Sequence, residues 1–156
     1  MLLAVTALVT AARMIWASAV ELAPDEAYYW FWSRHPALGY RDHPPLVAWI
    51  ESLVPTSLGS VSEVWVRLPA LVSGLLLAPA LYALVRAAGV GRQVALPVSL
   101  AAGLCPIASA GAVILTPDSA LSVLWVVALA AALAFARGGA RPLFVLSCTA
   151  GALCVL

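Results

Sequence analysis

The chain has no lysine, and charged residues of either sign fill only 10% of its 156 positions, against about 25% in soluble domains. All 8 basic residues are arginines, they are scattered, and with 7 acids they leave a net charge of +1. No cationic run follows a phosphate backbone, so nucleic acid is not an expected partner. Cys105, Cys148 and Cys154 lie singly in apolar runs, at spacings foreign to a zinc site or a disulfide framework, and are expected to be small buried hydrophobes. Also missing are a Walker loop, a G-x-S-x-G elbow, a dinucleotide fingerprint and an H-E-x-x-H pair. Most soluble enzyme classes thus lack their chemical signature here.

What is abundant is hydrocarbon. Hydrophobic residues make up 64% of the chain, against about 45–50% in soluble domains, and mean hydropathy is +1.04. So few charges cannot cover the surface of a soluble body this small, so lipid is the expected solvent of an all-α, polytopic membrane bundle. Residues 2–20 read as the first span, and at about 1.5 Å per residue they cover roughly 28 Å of hydrocarbon. A removed signal peptide is not expected, because this stretch has no basic start and no small-residue cleavage pattern follows. Further spans are expected at 64–85, 94–115, 120–136 and 142–156. The last stops at Leu156 inside an apolar run, as a truncated product would.

Residues 21–63 are too polar and too often interrupted to cross, and read as an external loop with interfacial helices. Leu46, Val47, Ile50, Leu53 and Val54 recur at helical spacing and leave Glu51 and Ser52 opposite, which predicts a helix lying in the membrane plane. Arg86, Arg92, Arg137 and Arg141 fall in alternate turns, and Asp25, Glu26, Asp42 and Asp118 in the others. The excess of positive charge in cytoplasmic loops then puts the acids outside. Arg67, at the outer end of its span, is expected to reach the headgroups.

Chemistry-bearing residues gather in the external loop. Asp25, at the start of a short helix, suits a general base taking a proton from a hydroxyl or amine, or else a first-turn cap. Glu26 beside it reads as a solvated first-turn acid, a partner for Arg34 or a metal support. Tyr28, Tyr29 and Trp30 belong to an aromatic cluster that suits interfacial anchoring or the entrance of a binding site. Asp42 and His43, before Pro44 and Pro45, either orient a substrate or cation or form a local turn network. Asp118 is the only ionisable residue in its turn and is either a helix cap or a second external carboxylate. Arg13, inside the first span, must reach headgroups, pair with an acid or face a polar cavity. No cofactor is implied, and a divalent metal would need ligands brought together by the fold.

Taken in order, D-E-A-Y-Y-W-F-W from Asp25, G-Y-R-D-H-P-P-L from Gly39, V-R-L-P-A from Val66 and T-P-D-S from Thr116 resemble a known pattern. It is that of the N-terminal part of the polyprenyl-phosphate-sugar-dependent glycosyltransferases, a multispanning group with the GT-C fold. This group includes the dolichyl-phosphate-mannose protein mannosyltransferases and the bacterial aminoarabinose transferase of lipid A. The resemblance implies an enzyme of the bacterial inner membrane, its site facing the periplasm or exterior. Such an enzyme moves a sugar, with inversion, from a polyprenyl-phosphate donor to a lipid, glycan or protein acceptor. It further implies that Asp25 activates the acceptor and Asp118 assists, that Glu26, Tyr28, Tyr29, Asp42 and His43 belong to the substrate site, and that Arg41 contacts the donor phosphate. Arg13 joins that site only if its helix faces the cavity. Relatives have more spans, so this length alone is expected to be inactive. The competing reading is a noncatalytic membrane assembly or lipid-binding subunit, because anchoring and capping explain many of the same residues.

Overall fold

Every regular element is a helix among the residues described by the computed structural model, 1–54 and 62–153. In chain order they are α1 (Leu2–Ala19), α2 (Pro24–Ser33), α3 (Leu46–Ser52), α4 (Glu63–Val66) and α5 (Leu68–Ala87). Then come α6 (Arg92–Gly103), α7 (Pro106–Gly111), α8 (Pro117–Ala136) and α9 (Arg141–Leu153). Helices α1, α5 and α8 are long and apolar enough to cross a membrane, and α9 is a shorter apolar helix. Cys154 and the end of the fifth expected span lie outside the described residues.

Prolines open these helices. Pro24, Pro106 and Pro117 are each the first helical residue, where a missing N–H leaves no bond unmade. The same property divides the expected span at 94–115. Pro106 disfavours a helical Cys105, which is extended at φ −62 and ψ 153, so α6 and α7 are separate helices. Broken backbone at this depth needs internal partners. Arg13 reaches across from α1, its Nη2 donating to Gly103 O at 3.4 Å and Ser109 Oγ at 3.0 Å. Arg13 is therefore buried and neither reaches headgroups nor pairs with an acid, since a guanidinium satisfies the loose carbonyl end of α6 at shorter range.

Helix α5 packs against α1, α6 and α8, and two glycines set how closely its neighbours approach. A Cβ on Gly74 would lie 2.3 Å from Ala112 Cβ, and one on Gly103 would lie 2.8 Å from Ala78 Cβ. At one end of the bundle Arg137 Nη1 donates to Ala87 O, joining the ends of α8 and α5. The opposite end carries α2, α3 and the start of α8.

Two burial expectations are corrected. Cys105 is half-buried and Cys148 exposed, because outward contact with lipid satisfies a small apolar side chain as well as burial does. On α3 the protein-facing side is Val47, Ala48 and Glu51, whereas Leu53 is 79% exposed. The smaller side chains fit against the aromatic α2, while Leu46 and Ile50 are half-buried and Val54 is buried.

Candidate functional site

Helices α2 and α8 begin alike, with proline, then aspartate, then a residue that folds back on the chain. Glu26 Oε2 accepts from the Ala23 N–H at 2.9 Å, and Ser119 Oγ accepts from the Thr116 N–H at 3.3 Å. Capping is thus carried out by the third helical residue in both cases. The second residues, Asp25 and Asp118, are exposed, and among the described residues no donor engages either carboxylate.

The two starts are tied together by the residue next to Asp25. Glu26 Oε1 accepts from Arg67 Nε and from the Leu115 N–H, both at 2.9 Å, and Oε2 accepts from Arg67 Nη2 at 2.7 Å. Arg67 Nη1 also donates to Ala17 O at 2.9 Å and Val20 O at 2.7 Å, and its Nη2 to Glu21 O at 2.8 Å. One buried pair thus fixes the end of α1, the start of α2, the head of α5 and the approach to α8. Burial raises the Glu26 carboxyl, but the bonds from Arg67, Leu115 and Ala23 and the charge of Arg67 outweigh it, leaving it below its ordinary 4.5. The expectations for Glu26 and Arg67 are corrected here. Glu26 is neither solvated, nor Arg34's partner, nor a surface open to substrate, and Arg67 turns inward, because the two form a buried ion pair with each other.

Tyr29, one turn beyond Asp25, is buried, with its hydroxyl 3.4 Å from His43 Nε2. Burial first, then the charges of both Asp25 and Asp118, push its phenol above the ordinary 10.0. His43 is brought there by a folded-back turn: Trp32 stacks on Tyr40 at 4.5 Å and 12°, and the Tyr40 N–H donates to His43 O at 3.3 Å. The Tyr40 hydroxyl lies 3.0 Å from both Trp32 O and His35 O. Arg41 and Asp42 are exposed on that turn, and Tyr28, 43% exposed, packs its ring on Trp32.

Behind this surface lies a group that the sequence pattern did not flag. Glu51 is fully buried, and among the described residues neither carboxyl oxygen meets a donor. Arg34 bonds instead to the Glu51 and Val54 carbonyls, at 3.2 and 3.5 Å, with its guanidinium 3.9 Å above the Trp30 ring. Burial pushes the Glu51 carboxyl up to about 8, with Arg34 opposing and Glu26 adding to the rise. The signal for Arg67 was present in sequence, as a single cation heading an apolar span; none marked Glu51.

A cavity of about 490 Å³ opens at Asp118 between α5, α7 and α8. Arg13 borders a separate cavity of about 520 Å³ between α1 and α7, with Trp16 and Ser109. Tyr29 and His43 thus meet at 3.4 Å, the Glu26–Leu115 bond ties the helix start bearing Asp25 to the approach to Asp118, and Arg13 lies at a separate cavity. Among the described residues no cluster of three or more His, Cys, Asp or Glu side chains could hold a metal ion.

Residues 42–156 match the family described as dolichyl-phosphate-mannose-protein mannosyltransferase. A 50-residue segment is 42% identical to the lipid A galacturonosyltransferase RgtD of Rhizobium johnstonii, covering 32% of this chain and 11% of that protein. The chain thus corresponds to a small part of that relative's length. No solved structure matches.

Proposed function

The chain belongs to the dolichyl-phosphate-mannose-protein mannosyltransferase family, and from that premise we propose that it carries the acceptor-activating acids of a membrane glycosyltransferase. The donor is a sugar on a polyprenyl phosphate, and the site faces the periplasm or exterior of a bacterial inner membrane. The observation that supports this reading is the 2.9 Å bond from the Leu115 N–H to Glu26 Oε1, which ties the start of α2, bearing Asp25, to the approach to α8, bearing Asp118.

In the proposed step an acceptor oxygen or nitrogen attacks the anomeric carbon from the face opposite the phosphate. The new bond forms as the anomeric C–O bond to phosphate breaks, the electron pair leaves with the phosphate, and configuration inverts. The acceptor's proton passes to the Asp25 carboxylate, which is free to take it because Glu26 performs the capping. Asp118 orients the acceptor. Phosphate is already a workable leaving group, so positioning and charge compensation matter most. Tyr29 and His43 hold the floor of the site, Tyr28 borders it, and Arg41, exposed beside Asp42, meets the donor phosphate.

The test is turnover by the full-length natural protein with polyprenyl-phosphate sugars. Asp25→Asn is expected to lower kcat by about 10²-fold or more, the usual scale for a general base, and Asp118→Asn to raise KM for the acceptor. Normal turnover in both variants, with membrane insertion unchanged, rejects the assignment.

A further inference from the structure

We infer that the cavity at Asp118 receives the hydrocarbon tail of the acceptor, so that the acceptor is a lipid whose hydroxyl- or amine-bearing head lies against Asp118. This rests on the reading of Asp118 as the acceptor-orienting acid. The volume of about 490 Å³ suits a ligand site, and the walls include Gly74, Leu77, Ala108, Gly111 and Ile114. At about 1.5 Å of rise per residue, Leu77 lies roughly 14 Å along α5 from Leu68, so the cavity runs from the acid into the apolar layer.

The serine hydroxyl protons on these walls are already committed. Ser73 Oγ donates to Pro69 O at 2.8 Å, Ser119 Oγ to Gly111 O at 2.8 Å and Ser122 Oγ to Asp118 O at 2.7 Å. Thr116 Oγ1 shares a contact of 3.2 Å with Ser119 Oγ. A sugar ring finds few partners on such walls, whereas a hydrocarbon chain needs none. Asp118 is the charged group among the described lining residues. Its charge repels a phosphate head and attracts a hydroxyl or ammonium donor, which selects the acceptor's chain over the donor's. Because Glu26, the neighbour of Asp25, accepts from the Leu115 N–H three residues before Asp118, a head held at Asp118 is presented to the helix start that bears the proposed base.

The experiment uses the full-length protein in phosphatidylcholine vesicles, with no sugar donor present. It is photolabelled with a long-chain alcohol carrying a mid-chain diazirine, and separately with the same chain ending in phosphate. The alcohol is expected to label α5, α7 and α8, and the phosphate probe to label them far less. Gly111→Leu adds bulk where a Cβ would meet nothing within 4 Å, and should cut labelling about ten-fold, as displacing roughly two methylenes would. Ser122→Leu should repeat the block from the opposite wall, so that one poorly folded variant does not decide the matter. Equal labelling by the two probes, or undiminished labelling in both filled variants, overturns the inference. If Asp118→Asn loses turnover but the cavity is never labelled, the tail site is removed and the proposed function stands. Cavity labelling with normal turnover in Asp25→Asn and Asp118→Asn overturns the catalytic reading, and the acceptor assignment with it.

Discussion

Glu26 and Arg67 form a two-point ion pair, Nε to Oε1 at 2.9 Å and Nη2 to Oε2 at 2.7 Å, with neither side chain exposed to solvent. The remaining Arg67 donors close the end of α1, and the remaining carboxylate capacity holds Leu115 and Ala23. Asp25 and Asp118 are each within a few residues of an atom in this network.

Removing one member of the pair strands the other charge. Arg67→Met or Glu26→Gln is expected to cost about 3–5 kcal/mol of stability. Arg67→Met should be the worse, because the carbonyls of Ala17, Val20 and Glu21 also lose their donor. Thermal unfolding in detergent measures both, and wild-type midpoints would contradict the clamp. The lowered Glu26 carboxyl stabilises the fold above its ordinary 4.5, and that contribution is lost as pH falls through the lower folded value.

Glu51 works in the opposite direction. Its folded carboxyl titrates at about 8 against an ordinary 4.5, so between those values the unfolded chain has released a proton that the native state retains. Stability therefore declines as pH rises across that window. Glu51→Gln removes the penalty and should stabilise by about 1–3 kcal/mol at pH 7, with little gain below pH 4. A pH series of unfolding midpoints for the two proteins checks this, and parallel curves would contradict it.

Capping and chemistry are divided between neighbours at the start of α8. Ser119→Ala should destabilise by about 0.5–2 kcal/mol through the lost cap, while Asp118→Asn should stay within about 0.5 kcal/mol of wild type. A larger stability loss from Asp118→Asn would return that acid to a structural role.

The glycines of the bundle differ sharply in tolerance. Gly74→Ala forces a methyl to 2.3 Å from Ala112 Cβ and 3.1 Å from Arg13 Nη1, and should cost about 1–3 kcal/mol. Gly91→Ala, where a Cβ meets nothing within 4 Å, should be neutral to within about 0.5 kcal/mol. Similar losses from the two would show that close approach is not what Gly74 provides.

Much of this arrangement was legible in the residues. Proline at the helix starts, aromatic crowding in the loop and the separation of arginine turns from acidic ones locate the helices and the two free aspartates. The four ordered motifs point to the family that the comparisons support. What stayed hidden was pairing at a distance. Glu26 looked solvated because its partners, Arg67 and Leu115, lie 41 and 89 positions away. Arg13 looked like a charge in need of water because its acceptors sit at a helix break that only the folded chain brings close. Glu51 sat on the polar side of an amphipathic pattern, and that pattern fails where small residues pack against rings.

The Trp32–Tyr40 stack, at 4.5 Å and 12°, holds the return leg of the loop by ring contact, and the Glu26–Arg67 ion pair is sealed from solvent. Dissolved electrolyte screens exposed charges over about 8 Å at physiological strength and leaves such contacts almost untouched. Raising the ionic strength of an assay should therefore leave the scaffold in place, and any response will come from the open charges at Asp25, Arg41, Asp42 and Asp118. A salt titration thus separates the electrostatics of ligand capture from the integrity of the platform beneath it.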